Sequence, residues 1–204
     1  YAPRVIVGDA GRHGVRVYPV DANLSQAACR VERGAIRLGF QYVAGFGDTG
    51  AERVVAARPA HGYRDLPDFC RRTRLPRKLV ENIILAGGMD DWGRDRRGLL
   101  WELGRTHYQE EELPLVFPPD DVALDPLTEA EELYYEYSIT GVSTSAHLME
   151  LFRDRLQKGH VLTSQDLRHC RDGQTVRVAG LVAVRQSPPT AKGFAFLTLE
   201  DETG

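Results

Sequence analysis

The fold is decided by the stretch Val43-Ala44-Gly45-Phe46-Gly47-Asp48-Thr49-Gly50-Ala51, in a chain of 204 residues. Two glycines stand two positions apart with an apolar residue between them. This spacing predicts a tight turn in which at least one glycine adopts a positive φ. Beyond the turn, Ala51, Val54, Val55 and Arg58 recur at helical spacing. We therefore expect a helix to follow the turn directly.

The order apolar–any–glycine–apolar–glycine, with an alanine after three more residues, is typical of the hairpin in a helix-hairpin-helix motif. Because glycines carry no side chains, the amides of such a turn can approach a phosphate, and the next helix adds unpaired N–H donors. A turn of this kind grips the DNA backbone without reading its sequence. An ordinary turn between packed helices is the alternative, and the carboxylate of Asp48 would compete for the same donors. The expected DNA contacts here are Gly45, Gly47, Gly50 and Arg53.

A second and more degenerate helix-hairpin-helix follows along the chain. Asp65 is a plausible N-cap with Pro67 in the first turn of its helix. A further helix is predicted from residue 76 to about 86, where Gly87-Gly88 ends it. A short helix over residues 95–103 closes this part of the chain.

Charge is distributed unevenly. Residues 30–107 carry 15 Lys and Arg against 10 Asp and Glu, whereas residues 108–172 carry 5 against 14. A basic module followed by an acidic connector favours a phosphate-rich partner for the module, although a charge run is often only a solvated face. Five cations fall within eight residues and are expected to contact DNA: Arg71, Arg72, Arg74, Arg77 and Lys78.

The amino-terminal part predicts the end of a helix over residues 2–13 and then a β-hairpin. Residues 28–31 and 35–40 alternate in hydrophobicity around a turn at Arg33-Gly34. We expect Val31 to lie on the buried face of this hairpin.

The carboxy-terminal part predicts two strands, over residues 175–184 and 194–199, joined by a basic loop. They look like the opening of an OB-fold, which has five strands and binds oligonucleotides. Because an isolated hairpin is marginal in water, we expect this tail to be poorly ordered. The expected DNA contacts here are Arg185, Lys192, Phe194 and Phe196.

Three scattered cysteines without a C-x-x-C spacing fit a reducing, cytoplasmic compartment. The chain has no run of 18 apolar residues that would predict a membrane span. Its histidines lack metal-ligand spacing, so no metal or catalytic residue is expected. Both ends suggest a piece of a longer protein.

Several segments together resemble one family, in family order. They are Ile36-Arg37-Leu38-Gly39-Phe40, Gly45-Phe46-Gly47, Leu66-Pro67-Asp68-Phe69-Cys70-Arg71-Arg72, Ala86-Gly87-Gly88-Met89-Asp90 and Leu197-Thr198-Leu199-Glu200-Asp201-Glu202-Thr203-Gly204. The chain resembles the carboxy-terminal half of bacterial C-family DNA polymerases. It looks most like their DnaE-like, error-prone branch, which acts in damage-induced mutagenesis.

The resemblance implies a mainly α, α+β fold in four segments. Residues 1–40 would end the fingers region, and residues 41–107 would form a tandem helix-hairpin-helix that holds primer-template duplex. Residues 108–172 would be an acidic linker with helices, and residues 173–204 would begin an OB-fold for single-stranded template.

The resemblance also implies that the parent protein is a DNA-directed DNA polymerase, a nucleotidyltransferase of DNA replication and translesion repair. In the family the catalytic palm lies amino-terminal to this region and binds Mg²⁺. This chain alone is expected to be inactive and to hold no cofactor.

Residues 112–117, Glu-Leu-Pro-Leu-Val-Phe, look like the peptide that binds a sliding clamp, with Leu113, Leu115 and Phe117 as the docking side chains. Packing of this segment on its own domain is the alternative. For the whole chain, two other functions stay open: a helix-hairpin-helix repair accessory factor, and a protein-interaction module without polymerase activity.

Overall fold

A computed structural model of the chain describes residues 3–108, 122–188, 190 and 193–204. Its contacts group into two compact units, one formed by Arg16–Val142 and the other by Tyr1–Val15 together with Ser143–Gly204. Helices predominate and the sheets are small, which confirms the α+β, mainly α class. The division into four functional segments stays a prediction.

Seven α-helices lie in the described residues: α1 Pro3–Arg12, α2 Gly47–Ala57, α3 Leu66–Thr73, α4 Arg77–Leu85, α5 Arg96–Arg105, α6 Glu129–Thr140 and α7 Arg153–Lys158. The strands are β1 Val17–Tyr18, β2 Arg30–Glu32, β3 Ala35–Arg37, β4 Val161–Leu162, β5 Arg177–Val178, β6 Leu181–Gln186 and β7 Phe196–Glu200. Short 3-10 helices cover Phe40–Tyr42, Asp90–Trp92, Leu148–Phe152 and Asp166–His169. No helix in the described part of the chain is long and apolar enough to cross a membrane.

The first sheet has β3 at its centre, antiparallel to β2 and parallel to β1. Arg33 and Gly34 both adopt positive φ, 50° and 80°, as a two-residue hairpin turn requires. The expectation that Val31 is buried was wrong, because its side chain is 77% exposed. Buried residues of this region lie outside β2, in the loop that follows β1, with Val20 and Ala22, and directly after β3, with Leu38 and Phe40.

The core of the unit Arg16–Val142 is built by α2 to α5. Each helix turns one apolar stripe inward, and these stripes include Val54, Phe69, Val80, Ile83, Ile84, Leu99 and Leu103. Asp65 caps α3 by accepting from the Asp68 amide at 2.7 Å, as predicted. Cys70 is buried in this core, and burial raises the pKa of its thiol to about 12.

Helix α6 belongs to this same unit. Thr128 and Glu131 form a capping box at its start, and Gly141 ends it with a φ of 72°. Leu133 and Val142 are buried. The acidic sequence that precedes α6 therefore leads into a packed helix.

The second unit joins α1 to the carboxy-terminal segment. Arg4 of α1 donates to the carbonyls of Val182 and Ala183 at 2.8 and 2.6 Å, and its Nε lies 3.4 Å from the Glu200 carboxylate. These contacts hold the antiparallel pair β6–β7, so this hairpin is not isolated. The single strand predicted over residues 175–184 was wrong, because two strands with different partners, β5 and β6, occupy this region.

Candidate nucleic-acid interface

The first glycine turn has the backbone that its sequence predicts. Gly45 and Gly47 adopt φ of 83° and 55°, and both residues are exposed. The Phe46 amide between them donates to the Val43 carbonyl at 3.1 Å. The Phe46 ring is buried and stacks on Phe40 with a centroid distance of 5.8 Å. The turn is therefore anchored by its apolar residue, and its glycines stay at the surface.

The hydrogen bonds of the turn leave several donors open. The amide of Ala44 donates to the Ile139 carbonyl at 2.9 Å, and that of Gly50 donates to Phe46 at 3.2 Å. Within the described chain, the amides of Gly45 and Gly47 have no acceptor. Helix α2 begins at Gly47, and the first amides of a helix lack intrahelical partners. The turn thus gathers unpaired N–H groups at a positive helix end.

Two helices fix the position of this turn. Asn82 of α4 donates its side-chain amide to the Ala44 carbonyl at 2.9 Å, while α6 accepts the Ala44 amide. A Cβ on Gly45 would lie 3.1 Å from Leu79 Cδ2. Asn82 was not among the residues predicted from the sequence. The available signal is a polar residue between Leu79 and Ile83 on an apolar helix face, because a buried amide needs a partner.

The second glycine turn is closed. Gly87 and Gly88 are buried, and their amides donate to Ile84 and Ile83 at 3.0 and 2.8 Å. Arg96 fills the space beside Gly87, where a Cβ would lie 2.6 Å from its guanidinium. This turn therefore offers no comparable open donors, and the first turn is the accessible one.

The predicted cations divide into three groups. Arg53 on α2 and Arg71 on α3 are exposed and form no ion pair with any described residue. Arg72 pairs with Asp68 at 2.9 Å, and Lys78 lies 3.3 Å from Glu81. Arg53 and Arg71 are thus the cations most available to a phosphate.

Arg77 and Arg74 have structural contacts. The guanidinium of Arg77 donates to the carbonyls of Leu103 and, at 3.1 Å, Thr106, and it lies over the Tyr108 ring. Arg74 ends α3 with a φ of 47°, and its amide donates to the Cys70 carbonyl at 2.9 Å. DNA contact by these two residues stays a prediction. The guanidinium of Arg77 already binds two backbone carbonyls of the fold.

Asp68 binds two arginines, Arg64 before α3 and Arg72 in its last turn. Burial would raise its pKa, but hydrogen bonds from Arg64 and Arg72 outweigh that effect and lower the pKa to about 2. Asp68 is therefore an anion at neutral pH. It holds one of the predicted DNA contacts, Arg72, in a fixed place.

In the other unit, the predicted contacts of the hairpin β6–β7 are exposed. Phe194 and Phe196 are 72% and 58% exposed, and Arg185 is exposed on β6. Gln186 pairs with Phe196 and Arg185 with Leu197. Because side chains alternate along a strand, Arg185 and Phe196 lie on opposite faces. Lys192 and the candidate clamp-binding residues Leu113, Leu115 and Phe117 lie outside the described residues.

The described residues contain no group of three or more His, Cys, Asp or Glu side chains that could hold a metal ion. His147 accepts the amide of Met149 at 3.2 Å and caps a 3-10 helix. Asp90 binds Arg96 through both carboxylate oxygens, at 2.9 and 2.7 Å. Asp90 and His147 are thus both occupied by contacts within the fold.

Comparisons with known proteins agree with this geometry. Residues 14–99 match the helix-hairpin-helix motif family. Over its whole length the chain is similar to error-prone DNA polymerases, with 39% identity to that of Azoarcus sp., 37% to that of Rhodopirellula baltica and 36% to one of Agrobacterium fabrum. The chain spans 20%, 19% and 20% of these relatives, about a fifth of their length. The resemblance to error-prone DNA polymerases is thereby confirmed.

Proposed function

We propose that this chain is the part of an error-prone DNA polymerase that holds primer-template duplex during DNA synthesis and translesion repair. The similarity over the whole chain and the helix-hairpin-helix match support this assignment. The polymerase activity belongs to the parent protein in this proposal. The chain itself contributes affinity for DNA.

One observation carries the proposal. The turn Gly45-Phe46-Gly47 has exposed glycines with open amides at the start of α2, and Arg53 is exposed six residues further along the same helix. Backbone amides and arginines bind phosphate oxygens without base readout, so binding is independent of sequence and falls steeply with salt.

The test is the affinity of the chain for mixed-sequence duplex DNA, measured by fluorescence anisotropy over a series of salt concentrations. The double variant Arg53→Glu/Arg71→Glu is expected to bind at least about tenfold more weakly at low salt. The matched control is Arg155→Glu/Arg168→Glu, two exposed arginines of the other unit with the same change in net charge. If both double variants lose affinity equally, the effect is general charge and the proposed interface is wrong.

We further propose that β6–β7 begins an OB-fold that contacts single-stranded template. Phe194 and Phe196 would stack on bases, and Arg185 and Lys192 would attract the backbone. Phe196→Ser is expected to weaken binding of a single-stranded oligonucleotide by about five- to 150-fold, because stacking on an aromatic ring contributes about 1–3 kcal/mol per base. Leu167→Ser, at an exposed apolar residue of the same unit outside β6–β7, is the control. Equal losses would contradict stacking.

The alternative functions make different predictions for the same measurements. A protein-interaction module would keep its residual DNA affinity unchanged in Arg53→Glu/Arg71→Glu. A repair accessory factor would bind duplex equally well, and the reading frame of its gene would lack a polymerase palm. Clamp docking by residues 112–117 is tested separately by titrating that peptide against a bacterial clamp.

A further inference from the structure

A cavity of about 310 Å³ opens on the first sheet, and none of its lining residues is among those expected to contact DNA. Its lining combines cations with an aromatic and an aliphatic side chain: Tyr18, Leu24, Arg30, Glu32, Arg33 and Arg37. All six lie in the unit Arg16–Val142. The volume is at the lower end of the range for small-molecule sites.

The strand register explains how these side chains meet. Tyr18 pairs with Arg37, and Arg37 pairs with Arg30, so the three form one row across β1, β3 and β2. Glu32 lies two residues beyond Arg30 and therefore points to the same face. Arg33 follows in the hairpin turn. The short sheet thus presents one polar face with its cations in a row.

Arg37 forms the fixed part of this face. It is nearly buried, lies 4.9 Å from the centroid of the Tyr18 ring, and donates to Glu32 at 2.6 Å and to the Pro19 carbonyl at 3.2 Å. Arg30 also binds Glu32, at 3.0 Å, but its side chain is about half exposed. One carboxylate therefore serves two arginines.

The cavity keeps an excess of positive charge. Burial would raise the pKa of Glu32, but hydrogen bonds from Arg37 and Arg30 lower it below its ordinary value, so Glu32 is an anion at neutral pH. It balances one of three guanidinium groups. Arg33 is exposed, with no ion pair to any residue that the structure describes. An anion is therefore the complementary ligand, and Arg33 is free to bind it.

The remaining wall is apolar. Leu24 is 46% exposed, and Tyr18 is half-buried beside Arg37. A simple inorganic anion would leave this wall unused, whereas a sugar or base attached to a phosphate would cover it.

We propose that this cavity binds a nucleotide through its phosphate, with Arg33 and Arg30 contacting the phosphate and Leu24 and Tyr18 packing against the sugar or base. The nucleotide is either one unit of a DNA strand or a free nucleoside triphosphate. The lining of this cavity contains no residue of the turn at residues 43–51. The nucleotide proposal can therefore be tested independently of the proposed duplex binding.

The first test maps binding on the whole chain by NMR. Thymidine monophosphate, thymidine triphosphate and a short oligothymidylate are titrated to millimolar concentration, with thymidine as the probe that lacks phosphate. The phosphate-bearing probes are expected to shift the amides of residues 30–37, and thymidine is expected to shift them far less. Tighter binding of the oligonucleotide identifies a DNA strand as the ligand, and tighter binding of the triphosphate identifies a free nucleotide. Absence of shifts at residues 30–37 with every phosphate-bearing probe overturns the proposal.

The second test removes the two available cations. Arg30→Gln/Arg33→Asn is expected to bind at least about tenfold more weakly, and asparagine suits the positive φ of position 33. The control Arg94→Gln/Arg97→Gln removes two arginines from elsewhere in the same unit, and it is expected to bind like the original chain. A charge-conserving variant, Arg30→Lys/Arg33→Lys, should keep most of the affinity. It shows whether a loss of affinity in Arg30→Gln/Arg33→Asn comes from the lost charge or from misfolding. Equal affinity of the two glutamine-containing double variants overturns the proposal.

Discussion

The two glycines of the open turn place different demands on their surroundings. Gly45 has both a positive φ and a neighbour, Leu79, close to where a Cβ would lie. Gly47 has a positive φ of 55° but no atom within 4 Å of that position. At Gly47 the need for glycine therefore comes from the backbone alone, which makes it the cleaner site for a substitution.

We expect Gly47→Ala to lower the free energy of unfolding by about 1 kcal/mol, because an L-residue is disfavoured in the left-handed region. The matched control is Gly104→Ala in α5, where a Cβ also meets nothing within 4 Å. That variant should be neutral or gain up to about 1 kcal/mol from helix propensity. Urea denaturation measures both. If both variants change the free energy of unfolding by the same amount and in the same direction, the positive φ at Gly47 does not require glycine.

The ion pairs of Asp68 should be visible in the pH dependence of stability. Its pKa is about 2 in the folded chain against an ordinary value of 3.8. A lowered folded pKa stabilises the fold above the unfolded value, and this contribution is lost as the pH falls through the folded one. The stability advantage over Asp68→Asn should therefore be full above about pH 5 and shrink steadily towards about pH 2. A constant difference over this range, in urea denaturation at each pH, would refute the assignment.

At the scale of elements, the open turn depends on α4 as much as on its own glycines. Asn82→Ala removes the donor to the Ala44 carbonyl and should cost about 1–2 kcal/mol of stability. It should also weaken duplex binding several-fold without removing a charge, because the turn loses its support. Anisotropy titrations well below the unfolding temperature measure this effect.

Asn23→Ala provides the control for that prediction. Asn23 bridges the backbone of Tyr63 with bonds of 3.1 and 2.6 Å and, within the described residues, forms no hydrogen bond with the open turn. It should lose comparable stability and keep its DNA affinity. If both variants weaken DNA binding equally, the loss reflects general destabilisation and Asn82 has no positioning role.

Arg96 connects three elements. It binds Asp90 through two bonds, and its Nη1 donates to the Leu85 carbonyl at 3.1 Å while lying 3.5 Å from that of Glu132 in α6. Arg96→Met should cost about 2–3 kcal/mol, because partly buried acceptors lose a charged donor. Arg97→Gln breaks a half-exposed pair with Glu131 and should cost less than about 1 kcal/mol. Thermal unfolding of both variants tests whether Arg96→Met loses more stability than Arg97→Gln.

The sequence predicted those turns and helices that are determined by residues close together in the chain. The glycine spacing at residues 45–47, the Asp65 cap and the apolar stripe of α4 each fix one turn or one helix, and the structure agrees with them. Contacts between distant residues could not be predicted in this way. Arg77 donates to the Leu103 carbonyl, and Val31 is left exposed. Both outcomes depend on how separate elements pack against one another.

At the scale of the whole molecule, the carboxy-terminal hairpin relies on α1. Arg4→Gln should weaken the bonds to the β6 carbonyls and speed hydrogen exchange in β6 and β7, measured by mass spectrometry. Exchange within Arg16–Val142 should stay unchanged. Arg12→Gln on the same helix is the control, because among the described residues the Arg12 side chain pairs only with Asp9, at 3.5 Å. Similar exchange in the two variants would contradict this anchoring role.

The unit that contains Arg4 is assembled from two stretches separated by the whole of Arg16–Val142. During synthesis on the ribosome, α1 emerges before its partners in β6 and β7, which follow only after more than 160 further residues. The intervening unit is continuous in sequence and can fold as soon as it is complete. Its early folding would shorten the effective loop that α1 has to close, and so reduce the entropy lost in docking. The order of translation thus favours a pathway in which the middle of the chain is formed before its two flanks meet.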